Sequence, residues 1–315
     1  MYSGMVAMRF AAETVSGTFV QPVTADYDVE LIGVGLPTFN FNNASLGIAA
    51  NGSFASAGVA GGKRQVDIPE FAVQIRGSSD EAITPKWFKY AKCGGWKEET
   101  VSGAKAIVFD NVPSCDTLSA EIFEIGCDGK VWITKVAGVK GNFDITAEGA
   151  NASLLGKCTG WTGKFVSRTE GTAFVPFVVT GGDAGVPQTL GMYTAKWGAT
   201  VYTVATLGIT AGGSITHRPA NDPSGIAFSK MTGAESKLTF TGLHLLTGDT
   251  VFTDALACNV NTFALEGSTG NGATYDLTMT GCQIINPSTG DVEGNAAWDV
   301  DSIYRRVEFK LKTIA

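Results

Sequence analysis

Residues 65–95 read QVDIPEFAVQIRGSSDEAITPKWFKYAKCGG, and they contain both kinds of element that the rest of the chain repeats. Val66 and Ile68, then Phe71, Val73 and Ile75, are apolar at alternate positions, the period of a strand with one buried face. The phase slips at Pro69–Glu70, where the prolyl nitrogen cannot donate to a ladder, and this predicts a bulge or bend. Further on, Thr84 and Pro85 predict an N-cap and first helical position for about two turns, stopped by Gly94 and Gly95. Trp87, Tyr90 and Ala91 fall at helical spacing within that segment.

Outward from this stretch, runs bounded by Gly, Asp or Asn predict strands. They are Asp28–Val34, Ala106–Asp110, Ala120–Ile125, Lys130–Val136, Asn142–Glu148 and Phe174–Val179 in the first half. In the second half they are Thr200–Leu207, Lys237–Leu245, Thr262–Glu266, Thr274–Thr280 and Ile303–Lys312. Asp128–Gly129 between two runs is a hairpin signal. Asp249–Thr250 opens a second short helix in which Phe252, Ala255 and Leu256 share a face. Composition agrees with a turn-rich β protein: 40 Gly, 44% hydrophobic residues and only 17% charged, against ~25% in an average domain. These values exclude a coiled coil, a helical bundle, a Rossmann-type enzyme and a disordered chain. At 315 residues the chain has room for two domains of ~150 each.

The two halves echo each other. SLGIAANGS (45–53) and TLGITAGGS (206–214) share six of nine residues. After each come a turn-rich stretch, a strong strand, a short helix ending near Cys93 or Cys258, and a Gly-rich hairpin. This shared order predicts a duplication, with an insertion around Gly95–Leu118 in the first copy.

Motifs of chemistry are missing. Gly61-Gly62-Lys63 is followed by Arg64 and has Ala57 where a phosphate loop needs Gly. Gly33-Val-Gly35 has Thr38 where a dinucleotide fingerprint needs its third Gly. The six Cys show no C-x-x-C pair, and His217 and His244 form no ligand pair, so no metal, cofactor or catalytic residue is assigned. Three disulfides are arithmetically open; reduced, mostly buried thiols are the expectation. The net charge of −7 comes with no Lys/Arg run longer than two, so no basic face for nucleic acid is expected. The opening MYSGMVAMRFAAE lacks the pattern of a signal peptide, and the uncharged Leu31–Gly62 is too rich in Asn, Ser and Gly to cross a membrane as a helix.

Along almost its whole length the chain resembles long-form bacteriophage tail tube (major tail) proteins. Glu13-Thr-Val-Ser-Gly17-Thr with Pro22 resembles that family's N-terminal arm. In the opening stretch Pro85, Trp87, Ala91, Cys93 and Gly94 match, and IFEIGCDGKVWITKVAGVKGNFDI supplies a DG hairpin with Gly138 and Gly141. The segment 207–240 matches at Arg218, Gly225-Ile226, Thr232-Gly233 and Leu238-Thr-Phe240. Lys86, Lys89 and Lys92 make the helix more cationic than the family's Leu-rich form, and Ala234 stands where Arg is common.

The resemblance implies a mainly β chain of two tandem tube lobes, barrel or sandwich, each with one short α-helix, plus extended arms. The parts would be an N-terminal arm (1–30), a first lobe (31–180), a second lobe (181–290) and a C-terminal strand (291–315). It implies a non-enzymatic virion protein made in the host cytoplasm and placed in the tail. Its partners would be copies of itself, in trimeric pseudo-hexameric or hexameric stacked rings, and the tape measure, terminator and distal tail proteins. Phage DNA would pass through the lumen unbound, and no membrane is involved. Asn51, Gly52, Phe54, Val59, Lys63 and Arg64 would belong to an arm reaching the next ring, a disordered loop being the competing reading. Trp87, Tyr90, Phe252, Tyr304 and Arg305 would contact neighbouring subunits. Competing functions are a carbohydrate-binding β-sandwich with a Trp platform, a glycoside hydrolase with paired carboxylates, and another tail part of the same lobe fold.

Overall fold

The computed structural model describes residues 5–23, 31–41, 44–45, 59–60, 63–78, 80–110, 112, 114–126, 130–149, 152–171, 173–175, 187–219, 226–233, 236–243, 249–267 and 273–313. The first strands are β1 (Met5–Ala12), β2 (Leu31–Ile32), β3 (Thr38–Phe41), β4 (Ala44–Ser45), β5 (Val59–Ala60), β6 (Arg64–Ile68) and β7 (Phe71–Gln74). After α1 (Phe88–Cys93) come β8 (Lys97–Val101), β9 (Ala104–Phe109), β10 (Leu118–Ile125), β11 (Val131–Ala147) and β12 (Leu155–Gly171). Then follow β13 (Tyr193–Trp197), β14 (Thr200–Tyr202), β15 (Val204–Thr210), β16 (Ser214–Pro219), β17 (Ile226–Thr232) and β18 (Lys237–Leu243). The chain ends with α2 (Val251–Ala257), β19 (Asn261–Gly267), β20 (Ala273–Val292), β21 (Asn295–Ile303) and β22 (Arg306–Thr313). The protein is mainly β, and its strands pair antiparallel.

The run Val66–Arg76 breaks where Pro69 and Glu70 predict, into β6 and β7, and both pair with β12. Ile125 pairs with Val131 across the Asp128–Gly129 position, itself outside the described residues, so the flanking strands form the expected antiparallel pair. The two runs at 130–136 and 142–148 are instead one strand, β11, bent by register shifts between Ala137 and Asn142. Its partner β12 was not expected at all. Of the run Asp28–Val34 only Leu31–Ile32 is strand among the described residues, and Phe174 and Val175 are not in a strand.

Both helices sit near their expected places with different caps. α1 begins after Trp87, and the Thr84 hydroxyl donates to Glu98 Oε1 (2.7 Å) rather than capping. α2 begins after Thr250, and Asp249 Oδ1 accepts from the Val251 amide (3.1 Å).

Strands of the two halves share ladders. β11 pairs with β15 through Ile145–Ile209, Thr146–Gly208 and Ala147–Leu207, and β9 pairs with β22 through Phe109–Val307 and its neighbours. The expected boundary at 180/181 lies outside the described residues. One buried cluster runs through both halves. At its centre the Trp87 ring stacks on Phe143 (5.8 Å) and meets Tyr275 and Phe309 edge-on. Phe240 of β18 stacks on Phe263 of β19 and tilts against Trp197 of β13. β1 of the expected N-terminal arm pairs with β10 of its own chain and buries Phe10, and β22 of the C-terminal segment lies between β20 and β9.

Candidate functional site

In β11, Phe143, Ile145 and Ala147 point to the core, so Asp144, Thr146 and Glu148 point out. The same alternation holds on each neighbour, and the registers align the outward residues. Gln74, Leu155, Thr146, Gly208, Thr239, Asp301 and Asn286 form one cross-strand row over β7, β12, β11, β15, β18, β21 and β20. A parallel row carries Thr206, Thr241, Asp299 and Ser288. The result is a polar sheet face that crosses from the first half of the chain into the second.

Hydroxyls and carboxylates on this face organise each other. Thr206 donates to Thr241 (2.9 Å), and Thr241 donates to Asp299 Oδ1 (2.7 Å). Lys237 pairs with Asp301 at 3.5 Å and Lys157 with Glu70 at 2.9 Å. Glu70, Glu148, Asp299 and Asp301 outnumber Lys157 and Lys237 there, so the face is net acidic. Burial pushes the Asp144 carboxyl up to about 6, opposed by the Ala211 amide and by Lys157, and its Oδ1 is buried without a hydrogen bond. Because the fold favours the protonated form, Asp144 weakens the fold as pH rises through about 6.

At the β7 margin the face opens into a groove of ≈ 430 Å³ lined by Ile32, Phe71, Ala72, Ala147 and Leu155, with Glu70, Glu148 and Lys157 at its polar positions. Among the described residues no group of three or more His, Cys, Asp or Glu side chains could hold a metal ion. Among the described residues no helix is long and apolar enough to cross a membrane.

No protein-family model matches this chain, and no curated protein is similar to it in sequence. Glu13, Gly138 and Gly141, among the residues that carry the resemblance to tail tube proteins, serve the fold. The Glu13 carboxylate accepts four hydrogen bonds, from the amides of Gly17 (2.7 Å) and Gly138 (2.7 Å) and the hydroxyls of Thr117 (2.6 Å) and Ser119 (2.8 Å). Gly138 reaches it from a bulge at φ 62, a conformation that favours glycine. Gly141 is needed for room, since a Cβ there would sit 2.1 Å from the Trp161 ring.

The structure places the expected site residues unevenly. Asn51, Gly52 and Phe54 lie outside the described residues. Val59 pairs with Ser45 in the two-stranded β4–β5 ladder. Lys63 is half-buried next to β6, and Arg64 is the exposed first residue of β6, opposite Phe41. The expectation that Trp87, Tyr90 and Tyr304 touch neighbouring subunits is corrected: all three are buried in their own chain. The Trp87 indole donates to the Arg76 carbonyl and to the Tyr275 hydroxyl, both at 3.1 Å, and the Tyr304 hydroxyl donates to the Thr210 carbonyl (2.9 Å). Phe252 is 53% exposed, and Arg305 is exposed against Gly281.

The tryptophans on which a sugar platform would rest are mostly enclosed. Trp87, Trp96, Trp161 and Trp197 are buried, Trp132 lies under the Arg168 guanidinium, and Trp298 is stacked by Phe252. Cys93, Cys158 and Cys282 are buried free thiols, while Cys115 and Cys258 are exposed and also free. Burial pushes the Cys93 thiol up to about 12 and holds the His217 imidazole neutral down to about 4.

Proposed function

We propose that this chain is a structural tube subunit of the phage tail type, and that it turns the hydroxyl-and-carboxylate face toward the bore. The observation that carries the reading is the cross-strand row from Gln74 to Asn286. It makes one polar, net-acidic surface from both halves of the chain. A bore of this chemistry repels phosphates and offers short side chains that bind DNA weakly, so a duplex slides rather than sticks. Copies placed side by side close into rings through a heterologous contact, and rings stack into a tube. Two lobes per chain would make each ring a pseudo-hexameric trimer. The tape measure, terminator and distal tail proteins are the partners expected at the tube ends. The alternative within the same class is another tail component built on this lobe.

Sedimentation velocity and negative-stain microscopy of the purified protein test the reading. The expected outcome is concentration-dependent assembly into hollow rods of uniform width, with no retention of duplex DNA in a low-salt gel shift. A protein that stays monomeric at every concentration, or that binds DNA tightly, contradicts it.

A further inference from the structure

The Asp144 carboxyl and its neighbours make a cluster with one cation and more than one claimant for it. Beyond β15 the chain crosses the outward side of β11. There the Ala211 amide donates to Asp144 and the Gly213 amide to Asn142 Oδ1 (2.9 Å). Under this crossing Asp144 Oδ1 is buried without a hydrogen bond. The residue directly opposite Asp144 in the β11–β12 ladder is Lys157. Directly opposed residues share a face, with Cβ atoms roughly 4.5–5.5 Å apart. Lys157 nevertheless sends its ammonium to Glu70 (2.9 Å). Those two side chains are 42% and 54% exposed, and an ion pair so open to water is weakly held. The other titratable groups around Asp144 are Glu148 of β11, Cys158 of β12 and Tyr304. Burial pushes Cys158 and Tyr304 up, so both stay protonated. Residues 204–213, which cover the other side, carry no charged side chain.

We propose that Lys157 is a shared counter-ion, held by Glu70 while Asp144 keeps its proton and turned to Asp144 when that proton passes to solvent. With the proton on, the carboxyl is neutral and its buried oxygen needs no cation. With the proton off, a half-buried negative charge stands opposite the lysine, where attraction is screened less than at the exposed Glu70. The exchange asks only for a rotation of the long lysine side chain, since the ladder already places its Cβ beside that of Asp144. Burial sets the midpoint at about 6. Above it Glu70 is left without its lysine at the rim of the ≈ 430 Å³ groove, in company with Glu148. This corner of the polar face therefore becomes more acidic as pH rises. The switch is built into a single chain and does not rest on assembly.

The test is a pH titration of the full-length protein by carboxyl ¹³C and lysine ¹⁵N NMR, with resonances assigned by single substitution. In the parent the Asp144 carboxyl is expected to titrate near 6, and the Glu70 carboxyl and Lys157 ammonium signals should each show a step at that same midpoint. In Asp144→Asn, which keeps the shape and removes the charge, both signals should hold their low-pH positions through that range. In Glu70→Gln the lysine has no competing partner, so the Asp144 midpoint should fall by about one unit, a tenfold weaker hold on the proton. An Asp144 midpoint near 4 in the parent overturns the proposal. So do Glu70 and Lys157 signals that do not respond at the Asp144 midpoint, or a midpoint that Glu70→Gln leaves unchanged. The parent titration decides the matter by itself should either variant fail to fold.

Discussion

The two short helices hold like places in the sequence, each following a strong strand and ending near a cysteine, and the fold uses them in opposite ways. α1 buries Phe88, Tyr90, Ala91 and Cys93 and is flanked by the fully buried Trp87. α2 buries only Val251 and Asp254 and turns Phe252 and Leu256 outward. The first is fastened by aromatic packing. The second is fastened from below by carboxylates: Asp249 accepts from the Trp298 indole (2.8 Å) and the Tyr202 hydroxyl (3.1 Å), and Asp254 accepts from the Trp197 indole (2.9 Å). Val251 and Ala255 pack toward the core and Phe252 lies on the Trp298 ring, so Leu256 is the large apolar side chain of α2 left mostly in solvent.

Four substitutions sharpen or break this contrast, each read by denaturant unfolding. Trp87→Ala should cost the most, about 3–5 kcal/mol, because it empties a fully buried aromatic site. Asp254→Ala follows at about 2–3 kcal/mol, since the buried Trp197 indole loses its acceptor. A loss there below that of an ordinary surface change would show that packing, not polar pinning, holds α2. Cys258 caps α2 at φ 51, so Cys258→Gly should stabilise by about 1 kcal/mol. The same logic does not apply at α1, where Gly94 has φ −84 and is required for room: a Cβ would lie 2.1 Å from Phe143 Cβ. Leu256→Ser should change stability least, within about 0.5 kcal/mol, because the side chain is 72% exposed. A larger loss would mean that the stripe belongs to the core of its own chain.

The sequence shows clearly those parts of the fold that depend on local pattern. The break at Pro69–Glu70, the strands on either side of Asp128–Gly129 and the existence of both helices follow from alternation, turn chemistry and short-range spacing. β12 does not. Its Gly156 and Gly163 look like turn residues, yet they make room: a Cβ at Gly156 would lie 2.2 Å from the Phe143 ring, and one at Gly163 2.7 Å from Val136. Glycines that admit a neighbour's side chain cannot be told from turn glycines without that neighbour. The facing of α2 is not legible in the sequence for a related reason. Phe252, Ala255 and Leu256 share a stripe, and only the hydrogen bonds of Asp254 show that the opposite side is the buried one. The Thr and Asp residues of the polar face were legible as outward positions of separate strands. Their union into one row depends on the β11–β15 register, a contact between residues sixty or more positions apart.

The direction in which that row points is the centre of the account. Cryo-electron microscopy of the assembled protein reads it directly. The account predicts hollow rods whose inner wall carries Thr146, Thr239, Asp301 and Asn286. Rods with this row on the outer wall would contradict it.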